Sequence, residues 1–148
     1  MADISAHDHS SDIEQIPATE RLRRVGLRPT RQRVALADIL FSKGARHVSA
    51  EILHEEALIA NVPVSLATVY NTLHQFTEVG MLREIVVDSS KTYFDTKVHH
   101  HHHFYDEDLN EVRDIPGTEL RLQALPEIQQ DMEISRIDVV VRVRRKRH

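Results

Sequence analysis

The spacing of apolar residues changes character once along this 148-residue chain, and that change limits what it can fold into. Up to Gly80 they recur every three or four residues, the period of an amphipathic helix; beyond it they alternate, the period of a strand. A first helix is expected from Thr19, as N-cap, to Gly26, after which Pro29 blocks continuation. Thr30 caps a second, TRQRVALADILFSKG, with Val34, Leu36, Ile39, Leu40 and Phe41 as its stripe and Gly44 at its end. Ser49 opens a third, SAEILHEEALIA, broken at Asn61 and Pro63. Ser65 opens a fourth, SLATVYNTLHQFTEVG, closed by Gly80. MLREIVVD and KTYFDT, joined by Ser89-Ser90, then read as a β-hairpin.

Helices followed by a two-stranded wing is the order of a winged helix-turn-helix, with Asn61–Val64 as the turn and Ser65–Val79 as the recognition helix. A small helical bundle carrying a hairpin fits the same pattern. From residue 97, HHFYD and NEVRDI are expected to be strands joined by Glu107-Asp108-Leu109. Residues 117–131 could hold a helix that Pro126 delays or breaks. EISRIDVVVRVRR reads as a long closing strand with Ile137, Val139, Val141 and Val143 on one face. Three strands with an exposed edge and little core favour pairing with a second copy. The expected fold class is α+β: a mobile arm over 1–17, a winged helix-turn-helix over 18–96, and a small α/β dimerisation and sensing domain over 97–148.

Composition narrows the chemistry. Cysteine is absent, which removes disulfides, thiolate zinc sites, iron–sulfur clusters and thiolate nucleophiles. Metal or haem would have to be held by histidine, carboxylates, Tyr or Met. No run of eighteen apolar residues and no secretory signal is visible, so the expected location is cytoplasmic. The net charge of −4 is segregated: residues 19–46 carry eight basic residues against Glu20 and Asp38, and the ending RVRRKRH carries five and no acid. Such blocks suit a polyanion, although solvated faces often look the same.

The exposed face of the fourth helix is expected to offer Ser65, Thr68, Tyr70, Asn71, Thr72 and Gln75. Asn and Gln can pair bidentately with adenine, and Thr or Tyr can meet a thymine methyl. Arg28 and Arg31, with Arg24 and Arg33, would lie near phosphates. Five of the eleven histidines form one run, His99–His103. In a strand, His99, His101 and His103 share one face and His100 and His102 the other. Imidazoles suit iron, manganese and zinc, and a single one suffices as a haem ligand. A decorative low-complexity loop is the plain alternative. A hydrolase would need an open metal and a placed base, and nothing in the sequence arranges them, so the chain is expected not to be an enzyme.

The stretch LRRVGLRPTRQRVALADIL, with RHVSAEIL, VSLATVYNTLHQFTEVGMLRE, KTYFDT and HHHHHF after it, closely resembles the ferric uptake regulator superfamily from about residue 19 to residue 146. Asn71 within ATVYNTL, the histidine run and the ending EISRIDVVVRVRRK are similar to its iron response regulator branch. The resemblance implies a homodimer that represses iron- or haem-related promoters by binding double-stranded DNA. It implies a divalent-metal site on His47, Asp95, His101 and His103, where Asp95 replaces a commoner Glu. A weaker second site falls on His100, His102 and Asp114, with one usual histidine missing. The branch implies haem binding at His101, His102 and His103 and release from DNA by haem; the alternative is a repressor of the same fold activated by iron, manganese or zinc.

Overall fold

A computed structural model describes residues 16–116 and 120–147. The arm expected over 1–17 therefore lies, except for Ile16 and Pro17, outside the described residues. The chain divides into two compact units, one running to Val86 and resuming over Lys91–Val98, the other comprising Val87–Ser90 and the residues from His99 onward.

The first unit holds α1 (Ala18–Arg24), α2 (Arg31–Phe41), β1 (His47–Val48), α3 (Ala50–Ile59) and α4 (Leu66–Glu78), and most of the hairpin β2 (Arg83–Asp88) and β3 (Lys91–Asp95). Three helices start where a hydroxyl can accept an orphan amide: Thr30, Ser49 and Ser65 accept from Arg33, Ile52 and Thr68. The first departs from expectation. Its N-cap is Pro17, with no side-chain cap, and Thr19 already lies inside the helix; a proline at that edge has no N–H to leave unsatisfied.

Helix ends are equally well specified. Gly80 takes φ +80°, and the amides of Gly80 and Met81 return to the carbonyls of Thr77 and Phe76. This left-handed cap turns the chain from α4 into β2. Asn61 does the same after α3 at φ +57°, with Val62 donating to the Ala57 carbonyl. The connection from α3 to α4 thus runs over 60–65, longer than the expected Asn61–Val64, because the capping turn of α3 and the N-cap of α4 both belong to it. Leu22, Leu36, Leu40, Leu53, Val69, Leu73, Phe76 and Phe94 are completely buried in one cluster. β1, β3 and β2 form a three-stranded sheet in that order. Helices followed by this wing make the winged helix-turn-helix.

The second unit holds β4 (His102–Asp106), β5 (Glu111–Ile115) and β6 (Val140–Val143), ordered β5-β4-β6, antiparallel then parallel. Two expectations fail here. Residues 120–129 form no helix, and the closing strand is confined to four residues. Leu122, Leu125, Ile128, Met132 and Ile134 are exposed, so the apolar spacing in that stretch is not packed against the described residues of the unit. The β4–β5 turn is four residues, Glu107–Asn110, closed by Asn110 at φ +53°. Asp106 caps it, one carboxylate oxygen accepting from the amides of Asp108 and Leu109 and the other from Arg145. No helix among the described residues is long and apolar enough to cross a membrane.

Candidate functional site

Two groups of metal-type donors are assembled, one in each unit. In the first, β1 and β3 pair so that His47 stands opposite Asp95. His47 Nε2 lies 3.2 Å from Asp95 Oδ2. The other carboxylate oxygen accepts from the Lys97 amide at 2.9 Å, so the carboxylate is oriented by backbone although it is only 1% exposed. Thr96 clamps the strand end, its hydroxyl accepting from the Arg46 amide and its own amide donating to the Arg46 carbonyl. Arg46 also donates to Glu56 on α3 at 2.7 Å, and Lys43 joins at 3.1 Å. Burial would raise the Glu56 carboxyl, but the hydrogen bonds from Arg46 and Lys43 outweigh it and hold the pKa below its usual value.

In the second unit, His101 Nε2 and His103 Nε2 lie 3.1 and 3.4 Å from the same oxygen of Asp114. The two imidazoles meet at 4.4 Å between centroids. The alternation expected along the run survives even though only His102 and His103 belong to β4: His99 contacts His101, and His100 contacts His102. Asp114 is on the other side from the one expected. It faces His101 and His103, not His100 and His102, because β4 and β5 pair His103 with Asp114. The expected three-residue turn would have set Asp114 opposite His102; the extra turn residue slips the register by one and changes the face. His102 is engaged elsewhere, its Nδ1 accepting from the Val139 amide at 3.2 Å.

Both donor groups suit a divalent ion, since each joins neutral-capable imidazole to carboxylate oxygen. Haem fits the expected ligands less well. His103 is 3% exposed and His101 and His102 are half-buried, whereas His99 and His100 are open.

On α4, Ser65, the N-cap, donates to the Thr68 hydroxyl, and Asn71 is exposed. Tyr70 is half-buried, stacks beside His74 and donates its hydroxyl to Glu51 on α3. Thr72 is only 5% exposed, against the expectation that it lies on the outer face. Three residues after Val69 and four before Phe76, it shares their inward stripe. Arg28 and Arg31 are exposed. Sequence reasoning missed the role of Arg33, which reaches from α2 to α4 and binds Gln75. Thr30, Gln32, Arg33, Thr68, Asn71 and Gln75 line a shallow cleft of about 220 Å³ there.

A family model described as "Ferric uptake regulator family" matches residues 24–142. The ferric uptake regulation protein of Bordetella parapertussis is 36% identical over 74 residues, 50% of this chain and 53% of that protein. The first curated relatives are thus matched over little more than half their length. The peroxide-responsive repressor PerR of Staphylococcus aureus is 30% identical over 134 residues, 89% of each chain. The solved structure of a ferric uptake regulator from Pseudomonas aeruginosa with manganese superposes with a TM-score of 0.67 at 28% identity, covering 89% of this chain and 100% of that one.

Proposed function

Because the chain belongs to the ferric uptake regulator family, we propose that it is a metal-responsive transcription regulator that binds promoter double-stranded DNA as a homodimer. The observation that carries the metal response is the convergence of His101 and His103 on one oxygen of Asp114, at 3.1 and 3.4 Å. Two imidazoles and a carboxylate at that spacing are all donors to iron, manganese or zinc. The ion would supply a positive charge that draws the three donors together. His47 and Asp95 form the second donor group. The Pseudomonas relative's manganese supports divalent metal as the effector class.

DNA is met by α4. Thr68, Tyr70 and Asn71 contact base edges, Ser65 holds the helix start at the backbone, and Arg28 and Arg31 contact phosphates. Thr72, being buried, stabilises α4 instead of reading bases. The second unit supplies the dimer contact, for which its exposed apolar residues and short β6 are suited.

A second reading, that of the iron response regulator branch, makes haem the effector and has it release the protein from DNA. The exposure of His99 and His100 favours it, since one accessible imidazole suffices for axial ligation. It moves the expected ligands from His101, His102 and His103 to the open end of the run.

One titration separates the two. Binding of an iron-regulated promoter fragment is measured by anisotropy against Mn²⁺ and against haem, for wild type, His103→Ala and a His99→Ala/His100→Ala double variant. Tightening by Mn²⁺ that His103→Ala abolishes supports metal activation. Release by haem that only the double variant abolishes supports the haem reading. Indifference of wild type to both effectors overturns the proposal. Metal bound per chain in His47→Ala and His103→Ala tells whether the two donor groups take one ion or two.

A further inference from the structure

The hydrogen bonding of Gln75 fixes which chemistry its amide can offer. Arg33 Nε and Nη2 both donate to Gln75 Oε1 at 3.2 Å, and Arg33 Nη1 donates to the Arg28 carbonyl at 3.0 Å. A guanidinium carries donors and no acceptor, so the amide must turn its oxygen inward and its NH2 outward. With two donors on it, that oxygen has no free lone pair. The NH2 group has no acceptor among the described residues and borders the cleft shared with Thr68 and Asn71.

We infer that Gln75 reads DNA solely as a donor, through Nε2, against a hydrogen-bond acceptor in the duplex. The inference rests on the reading of α4 as the DNA-contacting helix. A free glutamine pairs with adenine because it offers donor and acceptor together. This one has surrendered its acceptor to Arg33, and adenine's N6 amino group would face a second donor. Guanine O6 and N7 and thymine O4 accept instead, as does a phosphate oxygen; adenine N7 can take one bond but sits beside the N6 amino donor. Asn71, one turn earlier on the same face, is exposed with no side-chain partner among the described residues, and keeps both functions. The two carboxamides of α4 therefore do different work: Asn71 can pair with adenine, and Gln75 requires an acceptor.

The test uses the full chain and duplexes it selects from a randomised double-stranded DNA library. Base-by-base affinities are then measured for wild type, Gln75→Glu and Gln75→Met, each checked for an unchanged circular dichroism spectrum. Gln75→Glu keeps an acceptor for Arg33 while deleting the donor, so Arg33 stays anchored. It is expected to erase a preference for guanine or thymine at one position, worth roughly 5- to 100-fold. Its added negative charge weakens all sequences evenly, which separates the two effects. Gln75→Met should erase the same preference without the even weakening. If the acceptor is a phosphate, base preferences stay, and a single neutral methylphosphonate weakens wild type but not Gln75→Met. Even weakening in both variants, with no base or phosphate singled out, overturns the inference while leaving α4 as a DNA helix. A wild type that enriches no duplex overturns the DNA reading, and this inference with it.

Discussion

The two units bury their side chains on different terms. In the first, Leu22, Leu36, Leu40, Leu53, Val69, Leu73, Phe76 and Phe94 close a single core from four helices and a strand. In the second, the buried apolar residues among those described are Tyr105 and Ile115, and His103 and Asp106 are buried as well. A domain that buries little apolar surface cannot offset the entropy of ordering its chain. The first unit therefore carries its own apolar core, while the second is the one that would gain from the partner chain or ion proposed above. On the proposed function, the helix that meets DNA belongs to the first unit and the His101, His103 and Asp114 donors to the second.

The contrast can be broken most directly in the cores. Phe76→Ala should cost about 3–5 kcal/mol in chemical denaturation, because the completely buried ring leaves a cavity among rigid helices. Ile115→Ala removes a buried residue from the thin sheet and should cost no more than about 2 kcal/mol, the low end for such truncations. Equal costs at both sites would mean that the second unit has a core as developed as the first. Next in size is the effect on association. Val141→Asp places a charge on half-buried β6 and should weaken dimerisation at least about 100-fold, or about 2.7 kcal/mol, read as monomers in sedimentation at micromolar concentration. A wild type that sediments as a monomer would remove the need for completion by a second copy.

The same contrast explains what could be read from sequence. In the first unit each signal is local: Thr30, Ser49 and Ser65 cap the helices they precede, Asn61 and Gly80 end them, and the helix stripes supply the core. Even the misplacement of Thr72 is correctable from its spacing to Val69 and Phe76. In the second unit the deciding facts are non-local. Whether Asp114 joins His101 and His103 depends on one residue in the β4–β5 turn, and alternate turn lengths differ little in sequence. The apolar pattern over 120–139 reads as helix then strand because those residues are suited to burial, yet Leu122, Leu125, Ile128, Met132 and Ile134 are exposed. The resemblance already named Asp95 beside His47, and the β1–β3 register pairs them; that Asp114 faces His101 and His103 followed only from the β4–β5 register.

The smallest effect lies on the surface of the first unit, where Tyr70 on α4 donates to Glu51 on α3 at 2.5 Å. The Glu51 carboxyl is held below its ordinary 4.5, chiefly by the Tyr70 hydroxyl and then by its own backbone amide, against a small opposing contribution from burial. Tyr70 in turn is raised above 10.0 by the same bond, since ionising it would place two negative charges together. A carboxyl whose folded pKa is depressed stabilises the fold above its unfolded value and loses that contribution as pH falls through the folded one. Glu51→Gln should therefore lower stability by about 0.5 kcal/mol at neutral pH, the low end for an exposed hydrogen bond. The difference between variant and wild type should stay level down to about pH 5 and fade in more acid solution. On DNA the sign should reverse. Glu51 sets a negative charge beside the face proposed to approach phosphates, so its neutralisation should strengthen binding to all sequences alike, most at low salt. Removing any metal bound at the proposed site should leave the stability difference unchanged, because both residues belong to the first unit. A Glu51→Gln effect that varies with metal occupancy would show that the first unit's surface is not independent of the second unit.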